Sequence, residues 1–188
     1  MRPRIFTASA ILALCTATAA AGQQPAQGTL AADFLRDVEQ VEQKLLGLAR
    51  AMPADKWDWR PGEGVRSVGE VFLHVAADNY VLPAMFGTPA PPETKITAEY
   101  QTAVTFEQQK LSRDVTIAEL EKSFAFLKQT LAAMTQAKFA EKLDRFGPEA
   151  TQQSGWVLAV THLHEHLGQA IAYARMNGVV PPWSRQGG

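Results

Sequence analysis

Four long segments of this chain carry apolar residues at every third or fourth position, and that repeat constrains the fold more than any other feature. In the first, Phe34, Val38, Val41, Leu45, Leu48 and Met52 keep the spacing from Thr29 to Ala51, and Pro53 stops it. The second starts at Ser67, where Glu70 three residues later completes the pattern of a capping box. Val68, Val71, Phe72, Val75 and Leu82 form its stripe, and Pro83 limits it. The third is expected from Thr116, with Glu119 as a second box, and carries Ile117, Leu120, Phe124, Leu127, Leu131 and Met134. The fourth spans Ser154 to Asn177, with Gly178 and then Pro181-Pro182 as stop signals. No segment reads convincingly as a strand. The expected fold class is all-α, a four-helix bundle.

The connections add to this. Phe86 to Val115 is ~30 residues with a Pro-rich start, much longer than the usual link between bundle neighbours. A crossover of that size between helices two and three lets them run parallel. Lys138 to Gln153 is also long, with room for a turn of helix or a lid. Trp57 and Trp59 in "DKWDWRP" are expected to pack their loop onto the bundle.

The N-terminus belongs to a different class of segment. Arg2 and Arg4 precede an uncharged, mostly apolar run from Ile5 to Ala20, and "ATAAAG" offers small-residue cleavage points after Ala19 or Ala21. Residues 1–21 read as a secretory signal peptide, 22–28 as a flexible lead-in, and 29–184 as one domain. The only cysteine, Cys15, follows Leu14, where lipid attachment calls for a small residue, so a lipid anchor is not expected. Cleavage after Ala21 leaves no cysteine, which suits a periplasmic or secreted protein and excludes a disulfide framework. Loss of Arg2 and Arg4 takes the formal charge from −1 to about −3. No Lys/Arg run stands out, so nucleic acid is not an expected partner, and neither is a membrane after cleavage.

"THLHEHLGQ", Thr161 to Gln169, places three of the chain's four histidines in five residues. Around them Trp156, Ala159, Val160, Leu163, Leu167, Ala170, Ile171 and Ala174 keep helical spacing, so the stretch is helical. At ~100° per residue His162 and His166 stand one above the other, and His164 points roughly 160° away. The pair lies at the edge of the apolar stripe. His74 holds the same offset on the second helix, with Asp78 one turn later on the same line. Packing these helices through their stripes brings His74, His162 and His166 around one point at the rim of the core, open to one side. A His pair one turn apart is by itself more often surface decoration, and it is His74 at a matching edge that favours a shared ion.

Three neutral imidazoles with an open further position are the ligand set of a catalytic Zn²⁺, and Ni, Fe or Mn also fit. Asp78 and Gln169 are candidates for a further ligand or for orienting an imidazole. The plainer reading of Asp78 is a solvated side chain; Glu70 reads as a cap, and His164 and Glu165 as surface.

"RSVGEVFLHVAADNY" followed much later by "HLHEHLGQAIAYARMNGVVPPWS" resembles the DinB family of damage-inducible-like bacterial proteins. The resemblance covers most of the chain after residue 21. It implies a bundle in up-down-down-up order, His74, His162 and His166 as ligands of one divalent ion, and a homodimer. Some family members transfer or isomerise with a low-molecular-weight thiol, a chemistry that sits poorly with an oxidising exported compartment. The expected function is therefore that of an exported divalent-metal-binding protein, a metal-dependent hydrolase or transferase acting on a small molecule. No Ser-His-Asp, Gly-rich phosphate or H-E-x-x-H signature competes with this reading. The alternative is a non-catalytic metal- or ligand-binding helical bundle.

Overall fold

All four long helices form, and two short ones appear between them. The computed structural model describes residues 25, 26 and 28–187. The expected signal peptide at 1–21 lies outside these residues, as does most of the lead-in. The helices are α1 (Leu30–Ala51), α2 (Val68–Met85), α3 (Tyr100–Glu107), α4 (Arg113–Ala132), α5 (Gln136–Phe139) and α6 (Gln152–Met176). Among the described residues the only β-type pairing is an isolated bridge between Lys142 and Thr151. Helix α1 packs on α4 and α6, and α2 packs on the same two, so the four long helices close a ring around one core. Trp156, Phe72, Phe124, Leu45, Leu120 and Leu131 fill that core and are almost fully buried.

The start of α2 shows how local sequence fixes the helix that carries half of the site. Four N–H groups at a helix start have no partner within the helix. Here Val68 N–H donates to Trp59 O (3.0 Å) and Gly69 N–H to Trp57 O (2.9 Å). Glu70 N–H donates to Ser67 Oγ at 3.3 Å, and the Glu70 carboxylate accepts from Ser67 N–H at 2.7 Å. Ser67 and Glu70 thus form the expected box, and the tryptophan loop supplies the rest. Ser67→Ala is expected to lower stability by about 1 kcal/mol in urea unfolding, with the helix intact.

Helix α2 is more deeply buried than its stripe suggested: 15 of its 18 residues are shielded from solvent. Its inner face meets the bundle. On its outer face Leu73, Ala77, Tyr80 and Val81 meet Ala90, Ile96, Ala103 and Phe106 of the crossover. A helix apolar on both sides must be covered on both sides, and the long crossover with α3 does this.

Three boundaries differ from the sequence reading. Pro83 lies inside α2, which runs on to Met85; near a C-terminus proline forfeits one bond without ending the helix, and Phe86 N–H still reaches Leu82 O at 3.0 Å. Helix α4 begins at Arg113 with Ser112 as its cap, so Thr116 and Glu119 are not a capping box. Instead the Thr116 hydroxyl donates to Ser112 O at 3.0 Å, a bond back into the preceding turn. Helix α6 starts at Gln152, two residues early, because Thr151 and Ser154 cap each other's backbone N–H groups.

Candidate metal centre

Two neighbouring helices of the ring, α2 and α6, meet at four side chains. Helix α2 carries His74 and Asp78 one turn apart, and α6 carries His162 and His166 one turn apart. One donor atom from each lies within 4.8 Å of the others. The Asp78 Oδ2 atom is 2.7 Å from His162 Nε2 and 3.1 Å from His74 Nε2, and His162 Nε2 is 3.1 Å from His166 Nε2. Atoms bound to one ion at ~2.0–2.2 Å sit roughly 3 Å from each other, so these separations match the edges of a coordination polyhedron.

The outer nitrogens explain why the inner ones converge. His74 Nδ1 lies 2.7 Å from Glu107 Oε1, His166 Nδ1 lies 2.9 Å from Gln169 Oε1, and His162 Nδ1 lies 3.3 Å from Glu165 Oε2. A carboxylate or amide oxygen only accepts, so Nδ1 of His74 and of His166 carries the proton, while His162 faces an acceptor at both nitrogens, Glu165 at Nδ1 and Asp78 at Nε2. In the neutral rings of His74 and His166, Nε2 then bears a lone pair. Two lone pairs, the His162 Nε2 atom and a carboxylate oxygen are directed at one small space, where a single positive charge, a proton on His162 or a metal ion, holds them together. Moreover, Asp78 Oδ1 is buried and has no hydrogen-bond partner among the described residues. The chemistry of this donor set fits a divalent cation.

Proton affinity divides unevenly across the cluster. The hydrogen bond to Asp78 lifts His162 above the ordinary imidazole value, outweighing its burial. Burial pushes His166 below that value. At Glu107 burial acts upward, but the hydrogen bond and charge of His74, together with the Arg66 guanidinium, hold the carboxyl below its usual range.

The structure brings together His74, His162 and His166, as their spacing implied. Asp78 is not solvated: its side chain is 5% exposed and its Oδ2 stands among the imidazoles. Gln169 orients His166 and is itself held by its donation to Tyr173 OH at 3.0 Å. His164 points away and pairs with Asp37 of α1 at 2.9 Å. Glu165 is 73% exposed, a surface residue as read, though its carboxylate touches His162. Of the four central side chains His162 is the most open, at 26%, so solvent reaches the cluster past His162. Trp57 and Trp59 pack as expected, Trp57 stacked on Phe72 with centroids 5.5 Å apart and Trp59 edge-on to Tyr173. Sequence reasoning missed Glu107, the last residue of the short helix α3, and Arg66, which directly precedes the Ser67 cap of α2. Only "TFEQQK", an acidic residue ending a short amphipathic run, marked the place.

Comparison with known proteins bears on the fold and the family. No curated protein matches the chain. The crystal structure of a DinB-like protein (YjoA) from Bacillus subtilis is similar, with a TM-score of 0.57 and 19% identity over 79% of this chain and 93% of that one. At that identity the likeness speaks for the fold alone. The family model described as the DinB superfamily matches residues 37–170, which include His74, Asp78, His162 and His166. The match takes in most of the chain, and the chain belongs to the DinB superfamily.

Proposed function

We propose that the chain binds one divalent metal ion through His74, His162 and His166, with Asp78 as a fourth ligand, and that it is a metal-dependent hydrolase or transferase acting on a small molecule. The observation that carries this reading is the convergence of three imidazole Nε2 atoms and a buried carboxylate oxygen whose other atom has no partner. A divalent ion there would act as a Lewis acid and lower the pKa of a bound water toward ~7. Glu107 and Gln169 hold the rings of His74 and His166 so that Nε2 faces inward. The exposed edge of His162 gives a substrate its way in.

Asp78 bears on the choice of metal. With four protein ligands a tetrahedral Zn²⁺ is complete, whereas six-coordinate Ni, Fe or Mn keeps about two positions open. Nickel, iron or manganese therefore suits catalysis better, and zinc suits the second reading, a non-catalytic metal-binding module. The export signal read in residues 1–21 is part of the proposal and favours hydrolysis over thiol transfer. A homodimer and an up-down-down-up helix order, the latter supported by the length of the connection between α2 and α4, complete it.

The test is anion binding at the metal. Protein loaded with Ni or Co is expected to change its visible absorption when azide is added, because an open position accepts the anion. A spectrum indifferent to azide at saturating concentration would reject the enzyme reading and leave the closed module.

A further inference from the structure

We infer that Glu107, at the end of α3 and clamped by Arg66, is a positioning residue that sets the strength of the metal site through His74. This rests on the metal reading above. The three imidazoles are anchored very unequally. His162 leans on Glu165, which is 73% exposed and 3.3 Å away. His166 leans on the neutral amide of Gln169 at 2.9 Å. His74 donates to a charged carboxylate at 2.7 Å that is only 14% exposed.

That carboxylate is itself fixed. Glu107 Oε2 accepts from Arg66 Nη2 at 2.9 Å and from Arg66 Nε at 3.3 Å, so the guanidinium grips one oxygen and His74 takes the other. The backbone beneath is fixed as well. Phe106 and Ala103 of α3 pack on Leu73, Ala77 and Tyr80 of α2, on either side of His74 in the chain. A carboxylate donates electron density to a metal-bound imidazole, sets its tautomer and locks its ring angle. The crossover between α2 and α4 thus has a task beyond connection: it delivers a carboxylate to His74 from a position 33 residues away.

Glu107→Ala, Glu107→Gln and the control Glu165→Gln would be compared with wild type. The first readout is zinc affinity by competition with a chromophoric chelator. The visible spectrum of the cobalt-loaded protein and urea unfolding with chelator present would accompany it. Glu107→Ala is expected to weaken zinc binding about 10–100-fold and to shift the cobalt bands. Glu107→Gln keeps an acceptor without the charge and should fall between Glu107→Ala and wild type, which also guards against a poorly folded alanine variant. Glu165→Gln should stay within about fivefold of wild type, as an exposed contact does. Wild-type affinity in Glu107→Ala, whatever its urea stability, would overturn the inference and leave Glu107 as part of a packing contact. A wild-type protein that takes up neither zinc nor cobalt would bring down the metal reading and this inference together.

Discussion

Alanine in place of His166 is expected to strip the protein of its metal. Wild type, purified without a tag or chelator and incubated with Ni or Zn, should carry about one ion per chain by elemental analysis. Losing an outer partner costs ~10–100-fold in affinity, and losing a buried ligand must cost more, because the remaining donors cannot close around the ion. His74→Ala and His162→Ala should behave alike. His164→Ala, whose ring pairs with Asp37 on the surface, should keep full occupancy. Stability reports the same event independently. An ion present at 100 times its Kd stabilises the folded state by about 2.7 kcal/mol, so adding metal should raise the Tm of wild type and of His164→Ala but not of His166→Ala. Without metal the His166→Ala variant should remain folded, since removing one of the opposed lone pairs relieves repulsion in the cluster. Retained metal in His166→Ala at wild-type affinity would dismiss the site.

That experiment probes residues whose placement follows from helical arithmetic. His162 and His166 are one turn apart on one helix, and His74 and Asp78 are one turn apart on another. Once both stripes face the core, their edges meet. The burial of Asp78 was harder to see. It depends on the crossover covering the outer face of α2, and the apolar residues that draw it there, Leu73, Ala77 and Val81, lie off the stripe that faces the bundle. Glu107 and Arg66 were invisible for a related reason. They approach His74 from segments whose course is set by tertiary packing, across separations with no period to follow. The ends of α1 and α6 were legible from Pro53 and Gly178, and the start of α2 from a side chain that competes for its first N–H groups. Ser67 does so, and the box was read correctly. Thr116 has the same residue pattern with Glu119, yet the helix is already under way there. Arg113 ties the start of α4 to the end of α1 by donating to Met52 O and Arg50 O. The motif marks a cap only where the backbone is leaving an extended conformation.

The tryptophan loop that caps α2 leads to the second large expected effect. Gly69 lies in the first turn of α2, directly under the indole of Trp57. A Cβ built there would fall 2.3 Å from Trp57 Nε1 and 2.7 Å from Cδ1, distances at which the ring has to move. Trp57 has little freedom to do so: it is 6% exposed and stacks on Phe72. Gly69→Ala is therefore expected to destabilise by about 3 kcal/mol, between the ~1–3 of an overpacked site and the ~3–5 of a lost buried tryptophan. Unfolding in urea gives the magnitude, and a red-shifted tryptophan emission in the folded state would show the indole displaced toward water. Gly168, midway along α6 between His166 and Gln169, provides the opposite case. Its added Cβ would meet nothing within 4 Å, so Gly168→Ala should stabilise by about 1 kcal/mol through helix propensity alone. The two substitutions are chemically the same, and packing alone gives them opposite signs. A double-mutant cycle isolates the cause. With Trp57→Ala as background, the methyl at position 69 has room, and Gly69→Ala should become neutral or mildly stabilising. An equal cost in both backgrounds would show that the penalty lies in the backbone of α2 and that the indole does not set it.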